Sequence, residues 1–565
     1  MALLFGFLEG IVFLATNPYP LIRAAHKVSY DVLWIAPIFD ALVFLGVALA
    51  LFIPLQVFRR FSAEKKIAIA WAAFTFVSVF MVVTAPSLVS LYASAVLAAG
   101  VAAIVWRIGR GRLTGLTAVL SRRLWVAPVL LAAIVVGVFA YDAAREWWLV
   151  RGLPPSLPNA PNVLIILLDT VRDDRFERAS GESLTPNIDA LAQKGIRYAH
   201  AWSSTSWSLP SQFGILTGRL LHDTSSGFPI ARIEPGTPSL QSLLGQRGYV
   251  TGAFSSNAAW ITPEYLGRGF LRFRTYQFED YVRRVRYGRV LNKVLERVGY
   301  PESGRGKEAS KLSREFLSFL DEYPGRPFFS YLCYMDVNRQ MYKARTEGGS
   351  WAEVIAAYDR AVTEMDAEIG RLLGALQERG LLENTLIILT SDHGQSFGEE
   401  SGDHNPEGHG TSLYPEQSAV PLFVVYPPQV PAGTVISQEV SIIQVPSTVM
   451  HLLSVEQTAF GREPLPLVSQ SATAAAGRAA FLGLQDWSSG YLVGEGVAHD
   501  RWLYVRTPRD AGALRKGEQL FHLADDPRAN QDLSSRKEAQ AQLEVMRNRL
   551  DAWRASKLNG LAVNY

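Results

Sequence analysis

One cysteine in 565 residues excludes an intramolecular disulfide and a zinc cluster built from cysteines. That cysteine, Cys333, lies inside the apolar run Phe328 to Tyr334 and reads as a packing residue rather than a reactive thiol. Excess charge is scarce too. Lys and Arg number 55 against 52 Asp and Glu, a net +3. So small an imbalance gives no footprint for nucleic acid, and no nucleic-acid motif is present. There is no internal repeat and no low-complexity tract. No basic residue precedes the first apolar run, and more apolar runs follow, so a cleaved signal peptide is not expected.

What is abundant is apolar surface. The hydrophobic fraction is 48% and the mean hydropathy +0.10, high for a water-soluble chain, and residues 1–143 hold most of the excess. Apolar stretches fall at about residues 2–16, 32–55, 67–85, 88–106 and 124–142. A membrane span needs about 20 apolar residues. The last four meet that; the first is short and carries Glu9. Basic residues set the expected orientation. Arg59, Arg60, Lys65 and Lys66 separate the second and third stretches. Arg107, Arg110, Arg112, Arg122 and Arg123 separate the fourth and fifth. The turn at Ala85-Pro86-Ser87 has none. Both basic loops should face the cytoplasm, although Arg23 and Lys27 oppose the pattern weakly. The expectation is a multi-pass protein of the cell membrane, with the lipid bilayer as a partner and the chain after Tyr141 outside. Trp106, Trp125, Trp147 and Trp148 sit where interfacial anchors belong. Glu9 and Asp40 are expected to lie near an interface and stay wet.

A Pro-rich connector, Arg151 to Pro158, leads out of this region and should run extended. Beyond it, strand-like and helix-like patterns alternate. Val163–Leu168, Phe328–Tyr334 and Leu386–Leu389 read as strands. The first is an uninterrupted apolar run, as a strand buried on both faces requires. Asn187–Gly195, Pro210–Leu216 and Ala356–Arg379 read as helices. This is an α/β pattern, so ligands should gather at the carboxyl ends of the strands, where Asp169, Asp336 and Asp392 fall. The basic segment 272–297 reads as a solvated face. Trp502–Arg506 and a final helix near Lys537–Ala555 belong to the tail. The division expected is 1–148 membrane region with about five helices, 149–160 linker, 161–480 catalytic domain and 481–565 C-terminal subdomain.

Ser208 stands just before Pro210-Ser211, which can open a helix whose start favours an anionic ester. Asp169 and Asp392-His393 each follow an apolar strand. Two carboxylates, an imidazole and the Ser208 oxygen make a mixed set suited to one divalent cation: calcium, magnesium, manganese or zinc. Such an ion would acidify the Ser208 hydroxyl and screen an anionic ester.

The order of these pieces resembles the sulfatase family of the alkaline phosphatase superfamily. The resemblance runs over roughly residues 161 to 550. It is carried by Pro161-Asn162-Val163 through Asp169, Thr185-Pro186-Asn187, Ser208-Leu209-Pro210-Ser211, and Gly248-Tyr249-Val250-Thr251. Further on it is carried by Ser391-Asp392-His393-Gly394, Gly408-His409-Gly410, and Glu518 to Leu523 with Asp526-Pro527. It implies a sulfatase-like α/β domain with a central, mostly parallel sheet and a small C-terminal subdomain. It implies a metal-dependent sulfuric ester hydrolase, with Asp169, Asp392, His393 and Ser208 at the metal and Ser208 as nucleophile. It also places His409 against the substrate anion, a second metal or the leaving group. His404 reads as a solvated loop residue, and His222 is undecided.

The chain departs from the family pattern in several places. Sulfatases carry a formylglycine at the position of Ser208, in a motif that ends in arginine; here Gln212 stands there, which argues for a plain hydroxyl. Thr170 replaces a second acid, Asn338 a histidine, and Ser255-Ser256-Asn257 the family's lysine and histidine. Two alternatives follow. One is phosphoryl transfer or phosphodiester cleavage of the lipoteichoic acid synthase and phosphoethanolamine transferase type, which combines membrane spans with a plain hydroxyl. The other is a catalytically weakened domain that binds an anionic glycan or lipid. In each case the expected ligand is an anionic ester, a sulfated or phosphorylated glycan or lipid.

Overall fold

The computed structural model describes residues 32–57, 61–84, 90–109, 112–122, 125–156, 159–176, 183–220, 232–276, 306–398, 408–455, 460, 462–468, 478–485, 492–508, 510 and 516–558. The stretch 2–16, Glu9, Arg23, Lys27, Arg59, Arg60, the turn at 85–87, Arg110, Arg123, His222, the part of the basic segment after Tyr276, and His404 lie outside them. The described residues fall into two compact units, divided after Trp148.

The first unit holds α1 (Val32–Val57), α2 (Ala63–Thr84), α3 (Leu91–Gly109), α4 (Arg112–Arg122) and most of α5 (Val126–Arg151). Among the described residues, four helices are long and apolar enough to cross a membrane: 23 residues in α1, 21 in α2, 18 in α3 and 24 in α5. At about 1.5 Å per residue these lengths match a hydrocarbon core of about 30 Å. Leu45, Leu49, Ile53, Val96, Ile104 and Phe139 point outward from these helices, an arrangement that water would penalise and lipid tolerates. Ser78 and Ser94 are buried and bond back to Phe74 O at 2.7 Å and Ser90 O at 3.0 Å, so their hydroxyls cost little there.

Two expectations are corrected in this unit. Asp40 is 1% exposed, not wet. The basic loop after α3 is partly helical: α4 forms there, and its Thr117 accepts a hydrogen bond from Trp71 Nε1 at 2.9 Å.

The helix α5 runs through Arg151, so the first three residues of the expected linker are helical; Gly152 and Pro154 end it.

The second unit is built on an eight-stranded sheet. Its strands are β1 (Asn162–Leu168), β2 (Ile196–Trp202), β3 (Val250–Ser255), β4 (Arg272–Arg274), β5 (Phe328–Tyr334), β6 (Thr385–Thr390), β7 (Leu422–Val425) and β8 (Thr434–Ser441). They lie in the order β4-β3-β5-β1-β6-β7-β2-β8, all pairs parallel except those made by β7. β1 is central and buried at all seven positions. Val163, Ile165 and Leu167 face one core, and Leu164, Ile166 and Leu168 face the other. Each such side chain contributes about 1.5–3 kcal/mol relative to exposure, which is why the run has no polar residue. Its start is pinned by Asn162, which accepts from Phe328 N at 3.2 Å and donates to Thr385 Oγ1 at 3.3 Å.

Around the sheet pack α6 (Pro186–Ala192), α7 (Ser208–Thr217), α8 (Leu240–Gly245), α9 (Ala309–Glu322), α10 (Asp336–Thr346), α11 (Trp351–Glu378) and α12 (Val445–Leu452). The longest, α11, is opened by a Ser350–Glu353 capping box and closed where Gly380 takes φ +66°. The tail forms a four-stranded antiparallel sheet of β9 (Ala480–Gln485), β10 (Leu492–His499), β11 (Trp502–Thr507) and β12 (Gly517–His522), with α13 (Gln540–Leu558) packed on it.

Candidate active site

Parallel pairing brings the carboxyl ends of β1, β5 and β6 level. Leu168 pairs with Tyr334 and Leu167 with Thr390, so the chain leaves all three strands at one edge. Asp169 comes off β1 with its N–H on Tyr334 O at 2.8 Å. Asp392-His393 comes off β6. Ser391 Oγ donates to Leu168 O at 2.5 Å and accepts from Val171 N at 3.0 Å, which ties the two loops together.

The third contribution is α7, buried along all ten residues. Ser208 is its first residue, so the helix begins two residues earlier than the sequence suggests. Ser211 Oγ donates to Asp392 O at 2.6 Å, and Ser203 Oγ to the same carbonyl at 2.5 Å. These bonds fasten the helix start to the β6 loop. They place Ser208 Oγ 2.9 Å from His393 Nε2.

Asp169, Asp392 and His393 each offer a ligand atom, all within 4.8 Å of one another, and all three side chains are buried. Burial and the neighbouring Asp392 charge push the Asp169 carboxyl up to about 7. Burial likewise pushes Asp392 up to about 6, against hydrogen bonds from Gln212, Thr170, Ser208 and His393 that hold it down. Two mutually repelling buried carboxylates are what a cation would relieve. The ring nitrogens of His393 are sorted as well: Nδ1 lies 2.8 Å from Gly394 O and so carries the proton, which leaves the Nε2 lone pair inward. The donor set therefore fits a divalent cation. Gly394 is required there, because a Cβ would meet Glu416 O at 2.1 Å.

His409 joins the group. Its ring stacks on His393 with centroids 4.3 Å apart, and Tyr342 meets it edge-on at 6.4 Å. Gln395 Oε1 takes its Nδ1–H at 2.9 Å, so Nε2 keeps a lone pair. Loss of solvent, then the His393 charge, hold its imidazole well below the usual histidine range.

Four of the departures from the family pattern, Gln212, Thr170, Asn338 and Asn257, bond to this cluster. Gln212 donates to Asp392 Oδ2 at 2.8 Å and accepts from Tyr331 Oη at 2.8 Å. Thr170 donates to Asp169 Oδ1 at 2.6 Å, and Asn338 Nδ2 donates to Thr170 Oγ1 at 2.7 Å. Asn257 Nδ2 donates to Asp169 Oδ2 at 3.1 Å. Cys333 is buried beside Gln212, its thiol held protonated by burial, which agrees with a packing role.

Of the sequence-derived candidates, Ser208, Asp169, Asp392, His393 and His409 are brought together. Asp336 is not; its carboxylate pairs with Arg339 and accepts from Ala309 N at 3.2 Å. Gln395 and Tyr331 were missed. Gln395 stands two residues past His393, but nothing local shows that its amide turns toward a histidine fourteen residues on.

Comparison with known proteins bears on the family and the fold. The sulfatase family model matches residues 161–455. The N-acetylgalactosamine-6-sulfatase of Canis lupus familiaris is 26% identical over 351 residues, covering 55% of this chain and 66% of its own length. The steryl-sulfatase of Mus musculus is 30% identical over 416 residues, covering 55% and 65%. The chain thus spans about two thirds of the curated relatives it matches. Among solved structures, the phosphonate monoester hydrolase of Silicibacter pomeroyi superposes with a TM-score of 0.54 at 18% identity, covering 70% of this chain and 96% of its own. That last likeness is one of fold.

Proposed function

Because this chain belongs to the sulfatase family, we propose that it is a membrane-anchored, metal-dependent hydrolase of sulfate esters with its active site outside the cytoplasm. The observation that carries the reading is the 2.9 Å contact of Ser208 Oγ with His393 Nε2, beside two buried carboxylates at the same strand edge.

Asp169, Asp392 and His393 would hold the divalent cation, with Ser208 alongside. Bound there, it would supply charge to acidify the hydroxyl and to offset the anionic ester. Ser208 presents its oxygen at a helix start, where the first N–H groups and the helix dipole favour the sulfate. Gln212, Asn257, Thr170 and Asn338 hold the two carboxylates in position. His409, neutral and held by Gln395, can take a proton at Nε2 and pass it to the leaving oxygen.

A second reading is favoured by Gln212. With no arginine to orient a modified side chain, a plain Ser208 hydroxyl suits phosphoryl transfer of the lipoteichoic acid synthase or phosphoethanolamine transferase type. The deciding experiment is turnover of an aryl sulfate and of an aryl phosphodiester by the full-length protein and its Ser208→Ala variant. Loss of sulfate turnover in the variant supports the first reading. Phosphodiester turnover alone supports the second. An unaffected rate refutes Ser208 as the nucleophile. Mass spectrometry of the Ser208 peptide tests formylglycine, seen as a loss of two hydrogens. Protease digestion of intact cells tests the orientation, which complete protection of the second unit would contradict.

A further inference from the structure

We propose that a cavity beside β3 and β4 binds a second anionic group of the substrate, apart from the acid cluster; the proposal rests on the sulfate-ester reading. The cavity measures about 440 Å³, within the range of about 300–1,000 Å³ for small-molecule sites. Its wall carries five cationic side chains, Arg272, Arg274, Lys307, Lys311 and Arg314, against one carboxylate, Glu315. Phe254 and Tyr276 complete much of the remainder.

A solvated basic face would need neither concavity nor a buried ammonium, and this wall has both. Lys307 is 1% exposed, with Nζ 2.5 Å from Glu315. Burial disfavours its charge and Glu315 restores it in part. A ligand anion would add to that compensation. Arg272 is held in place by Glu322 at 2.5 Å and by the Phe319 ring, 5.2 Å below its guanidinium. An ordered cation of this kind loses little entropy when an anion arrives.

Position links the cavity to the reaction. Phe254 pairs with Arg274, so Arg274 ends β4 at the same carboxyl edge from which Asn257 reaches Asp169. The helix α9, which carries Lys311 and Arg314 in its first turns, starts at that edge, because Ala309 N donates to Asp336 just past β5. Three strand spacings separate β4 from β1, or ~14 Å. A molecule with its scissile sulfate at Ser208 and another sulfate, phosphate or carboxylate at its far end would span that gap. The ligand class is therefore a small polyanion, larger than a simple aryl ester.

The test uses the full-length protein in uncharged detergent, with Ser208→Ala to stop turnover. Calorimetric titrations with sucrose octasulfate, inositol hexakisphosphate and sodium sulfate compare this background with Lys311→Glu/Arg314→Glu and, separately, Arg274→Glu, all at exposed positions. At least one polyanion is expected to bind, more tightly than inorganic sulfate, and to weaken at least ~tenfold in each charge-reversal variant. The preferred polyanion identifies sulfate or phosphate as the group recognised. With Ser208 intact, the same reversals should raise KM for a multiply sulfated saccharide without changing kcat, and leave a monosulfated aryl ester unchanged. No polyanion binding, or binding and KM indifferent to the reversals, overturns the proposal. Variant-sensitive binding without any Ser208-dependent sulfate turnover overturns the sulfatase reading instead and leaves the cavity as a polyanion site.

Discussion

Gln212 donates its side-chain amide to Asp392 Oδ2 at 2.8 Å, from the motif position where the family carries arginine. A neutral donor thus holds a carboxylate that a cation would share. The same amide accepts from Tyr331 Oη, so one residue spans a candidate metal ligand and the neighbouring strand β5.

Replacing Gln212 by leucine should leave the Tyr331 hydroxyl and one Asp392 oxygen without this partner in a fully buried setting. The expected cost is about 1–3 kcal/mol of stability, read as a lower melting temperature in detergent. Because the amide orients Asp392, metal affinity should fall about 10–100-fold as well. An unchanged melt and unchanged affinity would show that Gln212 orients nothing.

The two buried acids predict how metal binding depends on pH. Asp169 and Asp392 are pushed up to about 7 and about 6, so both hold protons in part near neutrality until a cation arrives. Binding must then release protons. Affinity should climb as pH rises through about 6 to 7 and level off above. Calorimetry in buffers of different ionisation enthalpy measures the protons released. Asp392→Asn should bind metal more weakly and release fewer; equal release in the variant would refute the pairing.

How much of this was legible beforehand depends on what each residue's neighbours are. β1 and β6 could be read because burial on both faces leaves an uninterrupted apolar run; Asp169 follows the first directly and Asp392 stands three residues past the second. β2 gave no such sign: its seven residues alternate irregularly between buried and half-buried as it passes between β7 and β8. The helix α4 was hidden because it is only 11 residues long, too short to read as a span, and lies among the arginines that mark a loop. The residues that orient the cluster were least legible. Tyr331 and Gln212 lie 119 residues apart, and a hydrogen bond across that separation leaves no periodic trace.

For His409 the prediction concerns leaving groups. A proton delivered at Nε2 matters most when the departing oxygen is strongly basic. His409→Gln should therefore lower kcat by about 10²–10⁴ on alkyl or sugar esters, with a much smaller loss on nitrophenyl esters, whose phenolate leaves unaided. A uniform loss across both classes would point to substrate binding rather than proton transfer.

Away from the cluster, Glu439 on β8 should set a pH slope in stability. Its carboxylate accepts from Trp202 Nε1 at 2.5 Å and from Arg501 N at 3.3 Å, which joins the main sheet to the β10–β11 turn. Burial nevertheless wins, and the carboxyl is pushed up to about 7. Below the ordinary glutamate range both folded and unfolded chains hold the proton, and nothing is lost. As pH rises toward 7 the unfolded chain ionises first, so this group's contribution to stability falls; above 7 the loss is complete, on the order of 3 kcal/mol. Its neighbour His200, pushed down to about 4 by burial, gives the opposite slope and loses stability as pH falls. Comparing variant with wild type isolates the acid. Glu439→Gln keeps an oxygen for the indole and cannot ionise. Its melting temperature should exceed that of wild type at pH 8 and approach it at pH 4.5. A constant difference across that range would mean that the carboxyl stays ionised and that the Trp202 and Arg501 bonds outweigh burial.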